Sequence, residues 1–325
     1  VDAADVGGRE QPRHLPVLVE ESLGFLDPAR GGCYVDCTVG LGGHAAALLE
    51  RFPSARVIGL DRDDRALGLA GERLARFGGR VRLANGRFDE IGQRLKELGV
   101  GRVRGVLADL GVSSLQLGDA ERGFAFALEG PLDMRMGAGE LTAAEIVNGY
   151  SEEELAKILR DYGEERWARR IAREIVGERR KKPFETTAEL GRLVERARPA
   201  PPRHKARGRK GAGPRIHPAT QTFQALRIEV NRELEQLREL LEQSVDMLER
   251  DGRLVVISYH SLEDRIVKHR FRELAAGEVE PVTGRRRTET QVIEVMTRRP
   301  VRPGADEVAA NPRSRSARLR AARRL

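Results

Sequence analysis

Four short apolar blocks mark the first third of the chain: Tyr34–Thr38, Arg56–Leu60, Val81–Ala84 and Gly105–Ala108. Brief, nearly continuous apolar runs bounded by turn residues are the pattern of strands buried on both faces. Helical spacing begins at His44 and again near Asp63, between the first three blocks. That alternation predicts a parallel, doubly wound α/β sheet. After Asp109 the period changes. Ser151-Glu-Glu-Glu154 is a capping box, followed by a stripe of Leu155, Ile158, Leu159 and Tyr162. Trp167, Ile171 and Ile175 repeat at helical spacing, and Thr186-Thr-Ala-Glu189 opens a further helix carrying Leu190 and Leu193. The pattern predicts a helical insertion with its own small core.

A basic, Pro- and Gly-rich stretch, Arg196–Pro214, then reads as a flexible connector. Beyond it, Phe223, Leu226, Val230, Leu234, Leu237, Leu241, Val245 and Leu248 step along one face and predict a single long helix over 219–250. Asp251-Gly252 ends it, and Leu254–Ile257 predicts a buried strand. Ser261 is the expected N-cap of a helix over Leu262–Phe271, with Asp264 three residues on, and Gln291–Thr297 alternates as a last, antiparallel strand would. The sheet is thus interrupted and resumed. The expected division is 1–119 (first part of the sheet domain), 120–216 (helical insertion and connector) and 217–325 (second part, with an Arg-rich tail).

With 325 residues, 40% apolar and 33% charged, the chain has ample material for a core. No run approaches the roughly 20 apolar residues of a membrane span, and no secretory leader pattern is present, so a cytoplasmic protein is expected. Cys33 and Cys37 lie in or beside a predicted strand and read as core residues; two thiols alone make no zinc site, and no metal is expected. The net charge of +8 is uneven: residues 196–215 hold eight Lys/Arg and no acid, and Asn311–Leu325 holds six Arg and no acid. Two such blocks favour a polyanionic partner.

The candidate chemistry lies in the turn after the first strand. Gly40-Leu-Gly-Gly-His-Ala45 fits a dinucleotide fingerprint, with Asp61 placed to accept from ribose hydroxyls. NAD is therefore open at this point. Three details favour S-adenosylmethionine: Asp36 four residues before Gly40, the helical insertion in place of a second βαβ half, and the antiparallel strand near the C-terminus. Asp109, at the end of the fourth strand, faces the crevice where open α/β sheets bind ligands, unless it only caps the next turn. His260, in Ser258-Tyr-His-Ser-Leu-Glu-Asp-Arg265, occupies the same rim position on a later strand. No G-x-S-x-G elbow supports a hydrolase.

Longer motifs carry a resemblance. They are His14-Leu-Pro-Val-Leu18, Tyr34–His44, Asp109-Leu-Gly-Val-Ser-Ser114, Arg122-Gly-Phe-Ala-Phe126, Gly130-Pro-Leu-Asp-Met-Arg-Met136, Tyr162-Gly-Glu-Glu165, His217–Arg227, Ser258–Arg265 and Asn311-Pro-Arg-Ser-Arg-Ser316. In these, nearly end to end, the chain resembles the bacterial cytosine-N4 methyltransferase family of 16S ribosomal RNA (RsmH, or MraW). The resemblance implies a class I, Rossmann-like methyltransferase sheet with a helical insertion domain, S-adenosyl-L-methionine as donor, and a decoding-region cytosine of the small ribosomal subunit as acceptor. It implies Gly42, Gly43, His44, Asp61, Phe88, Asp109 and Gln116 as donor-binding residues. The chain departs from the family pattern at Leu115, where Pro is common, and at Gln221, where Arg is frequent.

Methylating a cytosine amine requires in-line alignment, exclusion of water and a proton acceptor. Asp109 and His260 are the candidates for orienting or deprotonating the amine, and the basic connector and tail for holding RNA phosphates. The resemblance implies an assembled or nearly assembled subunit, rather than naked RNA, as the substrate. Competing readings are a methyltransferase acting on DNA or protein, an NAD-dependent oxidoreductase, and a non-catalytic ribosome-assembly factor.

Overall fold

The computed structural model describes residues 16–126, 128–137, 141–198, 217–277 and 290–325. Strands β1 (Gly32–Asp36), β2 (Ala55–Asp61), β3 (Val81–Asn85), β4 (Val103–Asp109), β5 (Leu248–Ser258), β6 (Ile293–Val295) and β7 (Arg318–Arg324) form one sheet in the order β3-β2-β1-β4-β5-β7-β6. The first five run parallel, β7 pairs antiparallel with β5, and β6 pairs antiparallel with β7. This is the class I methyltransferase sheet. The four expected N-terminal strands are all present. The reversed strand is β7, not the 291–297 segment: β6 runs against β7 and so along the direction of β5.

Alternate residues of the strands feed two apolar clusters, as a sheet covered on both faces requires. On one face Val35, Ile58, Val106 and Val256 meet α4 (Ile91–Glu97), α11 (Glu233–Met247) and α12 (Ser261–Ala276) through Leu95, Leu237, Leu241 and Phe271. On the other, Tyr34, Val57, Leu107, Val255 and Leu319 meet α1 (Val19–Leu26), α2 (Gly43–Arg51) and α3 (Asp64–Leu74) through Leu23, Leu26, Leu49 and Leu74. Cys37 is buried, and Cys33 packs against the first of these clusters, as expected of core residues.

After the short α5 (Ser114–Gly118) the chain enters the helical insertion, α6 (Ala143–Gly149), α7 (Glu152–Asp161), α8 (Ala168–Arg179) and α9 (Thr187–Ala197). The expected capping boxes at Ser151 and Thr186 are formed, to Glu154 and Glu189. The insertion has its own core, which runs from Phe124 to Val230.

Residues 219–250 form two helices and a strand start, not one helix. α10 (Thr220–Asn231) stops where Arg232 turns left-handed (φ 50°), and α11 follows. The break has a visible cause: the Asn231 carboxamide donates to the Met134 carbonyl at 2.8 Å and accepts from the Met136 N–H at 2.9 Å. It is committed to the loop before α6. Ala219, Phe223, Leu226 and Val230 therefore pack into the insertion's core, so α10 sides with the insertion although the sequence division placed it beyond 216. The single apolar stripe concealed this, because it continues in register across a change of partner.

The C-terminal segment also differs from a solvated tail. After α13 (Ala305–Ala310), residues 318–324 are the interior strand β7, and Arg320 is buried against Asp264 on α12 at 2.6 Å. An alternation of Arg with Leu and Ala hides a strand when most of its arginines have acids waiting: Arg323 meets Asp251 and Glu294 at 2.9 Å, whereas Arg324 donates to the Asp246 and Leu248 carbonyls. The expected connector lies mostly in 199–216, outside the described residues. Its described end, Arg198, is an internal partner of Glu165 and Gln221.

Candidate active site

Three carboxylates gather at the carboxyl ends of neighbouring strands: Asp36 on β1, Asp61 on β2 and Asp109 on β4. The Asp109 N–H donates to Thr38 Oγ1 at 2.7 Å, so the turn after β1 is tied to the tip of β4. Asp61 accepts from the Gly40 N–H at 2.9 Å and the Asp63 N–H at 3.0 Å. Each oxygen keeps a second lone pair for a donor such as a ribose hydroxyl. Burial raises the Asp61 pKa, with those backbone N–H groups opposing.

The glycines of the turn have separate reasons to be glycine. Gly40 and Gly42 have φ values of 51° and 74°, a region that side chains avoid. A Cβ on Gly42 would lie 3.1 Å from Leu74, and one on Gly43 would lie 3.0 Å from Pro16. The turn is squeezed between protein elements, whereas Gly40 meets only the Thr38 carbonyl at 3.8 Å. The expected close approach of a ligand thus falls to Gly40; Gly42 and Gly43 serve packing and the entry to α2. Gly42 is the N-cap of α2 and offers no side chain to its first-turn N–H groups, a suitable end for an anion.

His44, in that first turn, is buried, and neither ring nitrogen has a hydrogen-bond partner among the described residues. Its Nε2 approaches Asp109 Oδ2 at 3.5 Å, short of hydrogen-bond geometry. Burial pulls the His44 pKa down, but Asp109 and then Asp36 outweigh it and leave it raised. Asp36 is buried, and burial pushes its carboxyl up to about 6, with His44 and the Thr38 N–H opposing. Nε2 is thus paired in charge with Asp109, while Nδ1 has no partner among the described residues and is left for a polar ligand.

Phe88 follows β3, half-buried, with part of its ring against the sheet's core. Gln116 is buried; its carboxamide oxygen accepts the Ser113 N–H at 2.9 Å in a capping box, which leaves the amide nitrogen for other contacts. Gly42, Gly43, His44, Asp61, Phe88, Asp109 and Gln116 all lie at or just after the carboxyl ends of β1, β2, β3 and β4.

His260 is placed differently from its expected role. It, not Ser261, caps α12: Nδ1 accepts the Glu263 N–H at 3.4 Å, and Nε2 lies 3.2 Å from Glu263 Oε1. Both nitrogens face its own helix. Ser261 instead donates to Glu164 of the insertion, and Asp264 pairs with Arg320. Glu233, His260 and Glu263 bring ligand atoms within 4.8 Å of one another, yet Arg227 donates to both Glu233 oxygens at 2.8 Å and takes the place of a cation. The residue that reaches the crevice is the neighbour: Tyr259 OH donates to Asp109 Oδ1 at 2.8 Å. Motif reading passed over Tyr259 because histidine is the commoner proton carrier. Gln221, where the family pattern favours Arg, uses its side chain on Arg198 and the Glu164 carbonyl.

The model of the MraW methylase family matches residues 11–325. A protein of Pelobacter propionicus named Ribosomal RNA small subunit methyltransferase H is 51% identical over 322 residues, covering 96% of this chain and 99% of its own. Proteins of the same name from Geobacter sulfurreducens and Persephonella marina are 51% and 48% identical, each again covering 96% of this chain and 99% of its own. With a class I sheet, a glycine turn between strand-end acids and this match along nearly its whole length, the chain belongs to the MraW methylase family.

Proposed function

We propose that the protein transfers a methyl group from S-adenosyl-L-methionine to N4 of a cytosine in the decoding region of 16S ribosomal RNA, in the small ribosomal subunit. The observation that carries the donor half is the convergence of Asp36, Asp61 and Asp109 on one glycine turn, beside the unpartnered Nδ1 of His44. The acceptor half is supported by the relatives' name and by the motif resemblance.

The residues suit that donor. Asp61 accepts ribose hydroxyls, the half-buried Phe88 ring offers adenine an apolar wall, and the uncapped start of α2 takes the carboxylate. Asp36 and Asp109 provide negative charge toward the ammonium and sulfonium groups. S-Adenosylmethionine supplies a methyl carbon activated by positive sulfur. When bound, it would offer that carbon in line to the cytosine amine, with the carbon–sulfur bonding pair leaving on sulfur, and Asp109 Oδ2 would take the amine proton. Asp109 is assigned that proton rather than His260, whose Nδ1 accepts the Glu263 N–H in the α12 cap and whose Nε2 lies 3.2 Å from the Glu263 carboxylate. Gln116 lends its amide nitrogen to positioning. The target base has to leave its stack to reach this rim.

The test is mass spectrometry of nucleosides from small subunits and from naked rRNA after reaction with labelled donor. N4-methylcytidine at one decoding-region position, formed faster on subunits, is expected. Label in DNA, in protein or on another RNA base overturns the acceptor; dinucleotide binding without donor binding overturns the whole reading.

A further inference from the structure

We propose that Tyr259 is a positioning residue for the methyl transfer, its hydroxyl holding Asp109 so that one carboxylate oxygen is turned to the target amine. This rests on the reading of Asp109 given above. Tyr259 follows β5, separated from Asp109 by 150 residues, yet its OH meets Asp109 Oδ1 at 2.8 Å. Every part of the tyrosine is fixed. Its N–H donates to Glu263 Oε2 at 2.8 Å, which ties it to the cap of α12. Its ring lies against Gly111, where an added Cβ would come within 3.0 Å of Cδ2, and Gly111 holds φ 119°.

Asp109 is fixed at the other end, its N–H on Thr38 Oγ1 at 2.7 Å. The Tyr259 hydroxyl restrains the carboxylate through Oδ1, and Oδ2, whose recorded neighbour among the described residues is His44 Nε2 at 3.5 Å, is the oxygen left for the substrate. A ring serving only as packing would need no hydroxyl; phenylalanine would fill the seat over Gly111. Burial and the Asp109 charge raise the phenol's pKa far above its usual value, so the hydroxyl remains a donor throughout the working range.

Tyr259→Phe keeps the ring and removes only the hydroxyl. With the full chain and small subunits, donor affinity by calorimetry, thermal midpoint and the KM for subunits should stay within about threefold or a few degrees, while kcat and the single-turnover rate at saturating donor fall about 10- to 100-fold. Asp109→Asn combined with Tyr259→Phe should be no slower than Asp109→Asn alone, because the hydroxyl acts only through that carboxylate. A wild-type rate in Tyr259→Phe, or losses that multiply in the double variant, overturns the positioning role while leaving the proposed function standing. A wild-type protein that methylates no RNA cytosine overturns both.

Discussion

The backbone N–H of Leu18 donates to the Glu307 carboxylate at 2.7 Å, across 289 residues of chain. Leu18 is buried and left-handed (φ 53°), and Pro16, two residues before it, presses on Gly43 at the start of α2. The carboxylate on α13 thus pins the segment that backs the glycine turn. Glu307→Ala should cost roughly 1.5–3 kcal/mol, the range for a hydrogen bond to a charged group, and weaken donor binding several-fold. Glu307→Gln, which keeps an acceptor oxygen, should recover most of both. Urea unfolding and calorimetry check this; unchanged donor affinity in Glu307→Ala would detach the pin from the site.

Asp36 gives a pH signature. Its folded-state pKa, about 6, lies above the ordinary 3.8, because burial disfavours the charged form. The folded state therefore holds this proton more tightly than the unfolded chain. The resulting penalty is absent below about pH 3.8, grows as pH rises through that window and is complete above about pH 6, where it amounts to roughly 3 kcal/mol. Asp36→Asn should raise the thermal midpoint of the donor-free protein at pH 8, leave it unchanged at pH 4, and weaken donor binding at least tenfold. Equal midpoints at pH 8 would show that the buried charge carries no such cost.

The arginines near the C-terminus should divide into two kinds. Arg320→Ala breaks a buried pair with Asp264, leaving it Arg318 at 3.7 Å among the described residues, and should cost roughly 3 kcal/mol in denaturant unfolding. Arg313 and Arg315 are exposed beside the last strand. Replacing both with Ala should leave stability within about 0.5 kcal/mol, weaken RNA binding and lower its salt slope by about 2. An unchanged slope would remove these two residues from the RNA interface.

Much of the site was legible in order along the chain. Asp36, Gly40, Gly42 and Asp61 lie at the ends of short apolar runs, and a strand followed by a tight turn leaves few places for such residues to point. Tyr259 was not legible, since its role depends on a partner 150 residues away. Nor were the reasons for Gly42 and Gly43, which lie in Leu74 and Pro16. His260 misled for a related reason: a histidine at a helix start can face a ligand or its own helix, and only the Glu263 carboxylate decides between them.

By itself the sequence determined the five-strand parallel frame, the helical insertion and the glycine turn between acids, because strand burial, helical spacing and turn chemistry are local properties of the chain. Only the tertiary structure decided that the apolar stripe of 219–250 is shared between two cores, that the arginine-rich end is the reversed strand β7, and that Asp109 is held by Thr38 and Tyr259. Periodicity reports that a face is buried but not against what, and an arginine's charge does not reveal whether water or a buried carboxylate will meet it.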